Sequence, residues 1–381
     1  MFVLTEDQQA LAEASRDFCR STLGPTVKED DEAELFRKEY ITAMGEMGFC
    51  GIPTPVEYGG LGLGYLDYCV VLEEIAKVSA SYAVSVAVTG LPQIILNLYG
   101  DDAQKDRWLP GLAAGELLGA FALSEPESGS DAASLKSTAV VDGDDYILNG
   151  TKFWITHGGV ADVYIVMART GGPGPKGVSA FILPGDAAGL SFGKKEQKMG
   201  LRASPTVELV MEDIRLPASA RIGPEGFGFK VAMAALDSGR ITIGATSVGV
   251  CQAALDVAAH YATERKQFNK PIIDFQGVGF MLADMACQIE TARLLVHKAA
   301  WLKDNAQPYG HIAAMAKVVA TDAAMHVTTD AVQVLGGYGY TREHPVERYM
   351  RDAKVMQIVE GTNQIQRLVI SRHLKRSYSN Q

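Results

Sequence analysis

The stretch VVDGDDYILNGTKFWIT (140–156) decides how the chain is read. Val140-Val141 and Tyr146-Ile147-Leu148 are β-forming runs on either side of Asp142-Gly143-Asp144-Asp145, and Asn149-Gly150 precedes Phe153-Trp154-Ile155-Thr156. Asp-Gly and Asn-Gly supply the positive φ that tight turns demand, so the spacing predicts consecutive hairpins. Val163 to Ala168, Val178 to Leu183 and Thr206 to Met211 continue the pattern with no helical period between them. The expectation is an antiparallel, barrel-like β domain over residues 119–222.

Outward from that stretch the pattern is helical. Thr5 and Gln8 form a capping box ahead of an apolar-periodic run through Cys19. Ala33 to Met47, Leu66 to Val78 and Asp102 to Ala114 are further helical segments, and Gly48 to Gly64, with Pro53 and Pro55, reads as a loop. Beyond Gly226 the helical period returns near 227–264, 275–305, 309–335, 346–358 and 363–375. The fold class is therefore α+β, mostly α: an N-terminal helical domain (1–118), the β domain (119–222) and a C-terminal helical bundle (223–381).

The chain of 381 residues is 47% hydrophobic and 21% charged, which excludes a disordered polymer. Its 35 basic and 45 acidic residues sum to −10, so no basic excess exists to neutralise a nucleic-acid backbone. A small anionic ligand remains open, because a few placed Arg or N–H groups suffice to hold one. The five cysteines (Cys19, Cys50, Cys69, Cys251, Cys287) form no Cys-x-x-Cys and read as thiols of a reducing compartment. Met1-Phe-Val-Leu-Thr-Glu-Asp has no basic or apolar leader region, so the expected location is cytoplasmic, or the mitochondrial matrix for a processed form. Val78 to Gly100 carries no charge, yet Ser79, Ser81, Ser85, Thr89, Pro92, Gln93 and Asn97 make it too polar to span a bilayer. It is expected as a core helix or helix pair, with no stable membrane insertion.

Common catalytic patterns are missing, and no metal site is expected. Gly172-Pro-Gly174-Pro-Lys-Gly177 matches a dinucleotide fingerprint only in letters. A strand follows it rather than a helix, and its prolines lack N–H donors, so it reads as a hairpin loop. Four segments stand out, each with a plainer alternative. FALSEPESGSD (121–131) could offer hydroxyls and N–H groups to a polar ligand, or be a junction turn. WIT (154–156) could face a planar ring, or be core. LDSGR (236–240), with Arg265, is a candidate anion site or a set of surface pairs. QIVEGTNQ (357–364) places Glu360 at a helix end, where burial would make it a stronger base; the alternative is a solvated carboxylate.

In combination these segments resemble the acyl-CoA dehydrogenase family of FAD flavoproteins over nearly the whole chain. FALSEPESGSD, WIT, LDSGR, ERKQFNKPI (264–272) with Gln276, and QVLGGYGYTREHPVERYMRD (333–352) followed by VEGTNQIQR (359–367) carry the likeness in order. The resemblance implies FAD as cofactor, an acyl-CoA substrate, an electron-transferring flavoprotein as acceptor and a homotetramer. It implies Phe121, Leu123, Ser124, Gly129 and Ser130 along the FAD, Ser130 also near the CoA moiety. Trp154, Ile155 and Thr156 would flank the isoalloxazine. Arg265, Phe268, Gln276, Gln333, Leu335, Gly336 and Gly337 would be FAD contacts, with Arg265, Phe268, Gln276, Gln333 and Gly337 donated by a neighbouring subunit. Thr362 and Gln364 would bind the diphosphate at a helix N-terminus. Asp237, Arg240 and Gly361 would meet the substrate, and Glu360 would be the catalytic base that removes the α-proton. Isovaleryl-type and long-chain members place that base at the position of Gly239, which has no side chain here. Val359 replaces the Tyr of many relatives, and His157 follows WIT where Asn or Ser is commoner. The uncharged 78–100 segment would wall the acyl pocket and favours a short- or medium-chain acyl group, straight or branched. A flavin oxidase or monooxygenase on the same fold, or a non-enzymatic helical scaffold, stays open.

Overall fold

The computed structural model describes residues 3–379. Its N-terminal part holds helices α1 (Glu6–Phe18), α2 (Val27–Ala33), α3 (Lys38–Glu46), α4 (Tyr65–Val78), α5 (Ala80–Tyr99) and α6 (Asp102–Ala113). The expected capping box opens α1: Gln8 N–H donates to Thr5 Oγ1 (3.2 Å) and Thr5 N–H to Gln8 Oε1 (3.1 Å). The segment expected over Ala33–Met47 is shorter. Glu34 takes a left-handed conformation (φ 53) that ends α2, and α3 starts only at Lys38. Ser79, in extended conformation, separates α4 from α5. The uncharged stretch is thus mostly one core helix; 78% of its most apolar window lies inside the protein.

Eight strands follow: β1 (Gly119–Ala122), β2 (Thr138–Asp142), β3 (Asp145–Thr156), β4 (Val163–Arg169), β5 (Val178–Pro184), β6 (Leu190–Phe192), β7 (Thr206–Pro217) and β8 (Arg221–Ile222). They form one sheet in the order β6-β7-β3-β2-β4-β5-β8, with β1 also on β4. Most pairs are antiparallel, but β1 and β2 both run parallel to β4. The Asp142–Asp145 hairpin turn is present. The second expected turn is not, because β3 runs straight through Asn149-Gly150 as a bulge against β7. Gly150 has φ 139 and sits so close to Ser137 that a Cβ would collide with it. The glycine serves a bulge rather than a chain reversal. The Gly172–Gly177 segment is the loop joining the antiparallel β4 and β5, as expected.

The C-terminal part holds α7 (Gly228–Glu264), a small hairpin of β9 (Lys266–Gln267) and β10 (Lys270–Pro271), α8 (Gln276–Asp304), α9 (Gly310–Leu335), the short α10 (Gly337–Tyr340), α11 (Val346–Met356) and α12 (Asn363–Ser379). Helix α7 is the spine: it touches α4 and α5, the sheet at β4 and β5, and α8, α9 and α11. Its central third is buried on every side, as its all-round apolar sequence requires.

Candidate active site

Glu360 lies in the turn between α11 and α12. Glu360 (φ 56) and Gly361 (φ 85) are consecutive left-handed residues. Such a conformation costs a non-glycine residue on the order of 1 kcal/mol and persists only where the surroundings impose it. Here Gln366 imposes it: its Nε2 donates to the carbonyls of Glu360 (3.0 Å) and Gly361 (2.8 Å). Lys317 of α9 donates from Nζ to the Gly361 carbonyl (3.1 Å). The turn aims the Glu360 carboxyl at α7, where a Cβ on Gly239 would collide with Oε2. Gly239 therefore makes the space that the base occupies. Oε2 is buried without a hydrogen-bond partner, and the Glu360 N–H has none among the described residues. Burial pushes the Glu360 carboxyl up to about 7, against the opposing pull of Arg240 and Lys317.

One residue along α7, Arg240 is almost fully buried, pairs with Asp237, and leaves its Nε unpartnered. Burial raises the Asp237 carboxyl above its ordinary value, with Arg240 and Lys303 opposing. Thr362 opens α12, its hydroxyl accepting from the Ile365 N–H (3.3 Å). Gln364 is exposed beside it. Glu360, Gly361, Thr362 and Arg240 are thus gathered around the start of α12 and the middle of α7.

The 121–131 loop follows β1. Its organiser is Glu125, which accepts from the N–H groups of Lys136 (2.5 Å) and Ser137 (3.0 Å) and from Lys152 Nζ (2.7 Å). Lys152, fully buried on β3, also donates to the Leu123 carbonyl (3.2 Å). Burial pushes its ammonium down to about 8, with the Glu125 charge opposing. The Phe153 N–H donates to the Ser124 carbonyl (2.9 Å), tying the loop to β3. Within this frame Phe121 and Ser124 are half-buried, Leu123 is buried, and Gly129 and Ser130 are exposed. Trp154 has φ 62 at a break in the β3–β7 register, and its side chain is turned out, 61% exposed. Ile155 is buried, so only its backbone can meet a ligand; Thr156 is half-buried. His157 belongs to the core. Its Nδ1 bonds the Gly119 carbonyl (3.0 Å), its ring meets Phe36, and burial pushes it down to about 4, so it is neutral.

The remaining candidates gather elsewhere. Arg265 ends α7 with its guanidinium over the Tyr338 ring (5.9 Å). Phe268, 87% exposed, sits on the β9–β10 turn, and Gln276 opens α8. Gln333 and the buried Leu335 end α9, and at Gly336 and Gly337 a Cβ would meet no atom within 4 Å. Arg240 and Arg265 lie 25 positions apart along α7 and its C-terminal cap, about 37 Å at the helical rise of about 1.5 Å per residue. One subunit thus carries two separate clusters that do not converge. Sequence reasoning did not find Glu125, Lys152, Gln366 or Lys317. Lys317 alone had a signal, a lone charge on the Ala-rich face of α9.

The descriptions "Acyl-CoA dehydrogenase, N-terminal domain", "middle domain" and "C-terminal domain" match residues 5–116, 120–214 and 226–375. A Clostridium acetobutylicum protein named "Acyl-CoA dehydrogenase, short-chain specific" is 46% identical over 372 residues, 97% of this chain and 98% of the relative. The solved butyryl-CoA dehydrogenase from Megasphaera elsdenii has a TM-score of 0.96 at 45% identity, covering 98% of this chain and 99% of its own. A chain solved in work on the electron transferring flavoprotein of Acidaminococcus fermentans has a TM-score of 0.97 at 48% identity, covering 99% and 100%. With all three domains matched in order, this chain belongs to the acyl-CoA dehydrogenase family.

Proposed function

We propose that this protein is an FAD-dependent acyl-CoA dehydrogenase acting on a short, straight or branched acyl group, with Glu360 as its base. One observation carries the reading. A carboxyl whose Oε2 is buried without a hydrogen-bond partner faces the gap left by Gly239, next to its own unpartnered N–H. The carboxylate takes the proton from Cα of the thioester, and the Glu360 N–H stabilises the charge that develops on the thioester oxygen. FAD, held by Trp154, Thr156, Thr362 and Gln364, would supply the acceptor for the Cβ hydride, which would make the product a trans-2-enoyl-CoA and an electron-transferring flavoprotein the next electron acceptor. The residues fit that cofactor: the outward Trp154 side chain offers a face to a planar ring, and Thr362 with Gln364 at the start of α12 suits a diphosphate. Arg240 and Ser130 offer donors for the CoA arm.

The distance along α7 supports a homotetramer in which Arg265, Phe268, Gln276, Gln333 and Gly337 complete a neighbour's FAD site. Domains at 1–118, 119–222 and 223–381 are supported by where the family matches begin and end. A cytoplasmic site of action in a bacterial cell belongs to the same reading and is supported by bacterial relatives such as the clostridial protein. The oxidase and scaffold alternatives are not favoured.

Anaerobic mixing with butyryl-CoA tests the activity. The visible flavin band should bleach and return only slowly in air. No bleaching, or rapid peroxide formation, refutes it. Two variants sharpen the test. Gly239→Ala should displace the Glu360 carboxyl and slow bleaching about 100-fold with FAD retained, since small misplacements of reacting groups cost about that much. Tyr68, fully buried on α4, donates to the Val86 carbonyl of α5 (3.1 Å) and lies against Gly90. It lines a cavity of about 120 Å³ together with Tyr65, Gln93, Ile94 and Lys303. Tyr68→Ala should open the α5 wall and move the kcat/KM optimum of an acyl-CoA panel to longer chains; an unchanged optimum places the chain-length limit elsewhere.

A further inference from the structure

We infer that Lys317 is a positioning residue for the base, holding the Glu360–Gly361 turn and supplying a cation that favours the ionised carboxyl. The inference rests on the assignment of Glu360 as base. Lys317 lies on α9 with no exposed surface, among Ala313, Ala314, Ala316, Ala320 and Thr321, where an unpaired lysine would be costly. Its Nζ spans the turn, donating to the Gly361 carbonyl (3.1 Å) and to Asn363 Oδ1 (2.8 Å). The Asn363 amide cannot turn away. Its Nδ2 donates to Asp322 Oδ1 (2.7 Å) and Thr321 Oγ1 (2.9 Å), which leaves Oδ1 to accept from Lys317. The ammonium is thereby fixed at the carbonyl of the residue that follows Glu360.

The charges around the carboxyl are few. Helix α7 contributes Arg240, already paired with Asp237. Helix α9 contributes Lys317 and Asp322, and α12 contributes Arg367, which pairs with Asp322 (2.8 Å). Lys354 of α11 is engaged with Gln357 (2.9 Å). Helix α5 brings no charged side chain. Lys303 of α8 is bonded to Ser238. Among the described residues, Arg240 and Lys317 are the cations that act on the carboxyl, and of these two Lys317 is in no salt bridge. Burial pushes the Lys317 ammonium down to about 7 and the Glu360 carboxyl up to about 7, and each favours the other's charged form, so the two titrate as a pair near neutrality.

The structural and electrostatic parts of the role separate by comparison with Gln366, which shares the Gly361 carbonyl with Lys317 and also holds the Glu360 carbonyl, without a charge. The experiment is the pH profile of flavin reduction at saturating butyryl-CoA in stopped flow, on flavin-loaded protein. The wild-type rate should rise with pH through about 7. In Lys317→Met the limb should move up by at least about one pH unit, since an opposite charge nearby lowers a carboxyl by about that much. The rate near neutrality should fall about tenfold. Gln366→Leu should lower the plateau and leave the limb in place. Lys317→Arg should bring the limb back toward the wild-type position. If Lys317→Met does not retain flavin, Lys317→Gln is read in its place, having lost the charge and kept a donor. A limb that does not move in the neutral variant overturns the inference. A wild-type protein that fails to bleach overturns the assigned activity instead.

Discussion

Glu360→Gln should leave a folded, yellow protein that acyl-CoA can no longer bleach, with the reduction rate down about 10⁴-fold, the upper range for removing a general base. The substitution is isosteric and keeps the φ of 56 that the turn imposes. Oε2 accepts no hydrogen bond, so the amide costs the fold little beyond one buried donor. The loss should therefore appear in the chemical step and not in flavin content. In the wild type only the ionised carboxyl acts as a base. Because burial holds it at about 7, activity should climb as pH rises through neutrality; that climb should vanish in the variant. Stopped-flow absorbance measures both. Residual bleaching within about tenfold of wild type would place the base elsewhere.

Lys152→Met should give the largest loss of stability. Lys152 is fully buried and Glu125 is 6% exposed, and together they join β3, the end of β1 and the start of β2. Removing one member leaves the other charge in low dielectric, typically costing about 3–5 kcal/mol. Thermal unfolding of the purified protein measures that cost. The consequence reaches the site, because Lys152 also holds the Leu123 carbonyl and Glu125 holds the chain at Lys136 and Ser137. Flavin content should fall with stability. Lys152→Met with Glu125→Leu should recover part of the stability, since two matched apolar groups leave no orphan charge. A single variant as stable as wild type would show that the pair is solvated in solution.

The long helices were legible because their period persists: 275–305 was expected and Gln276–Asp304 is found; 309–335 was expected and Gly310–Leu335 is found. Helix α2, VKEDDEA, went unseen because it has almost no apolar face. Asn149-Gly150 misled for a chemical reason, since the φ that suits a hairpin turn suits a bulge equally. The parallel pairing of β1 with β4 follows from tertiary packing and leaves no local trace. At the site, Glu360 was readable from its neighbours in VEGT. Lys152 and its partner lie 27 residues apart and Lys317 and Gly361 lie 44 apart. Such pairings exist only once the chain has folded, so no spacing announces them.

Helix α7 carries Arg240 partway along it and Arg265 at its far end, on a single rod about 37 Å apart. On the proposed assembly these belong to two different active sites, Arg240 at the substrate of its own subunit and Arg265 at the FAD of a neighbour. Holding flavin is then a property of the oligomer rather than of the folded chain. Dilution would bleach such a protein by stripping its cofactor well before any helix unwinds. A preparation that has lost its colour would have to be reassembled at high concentration, not refolded.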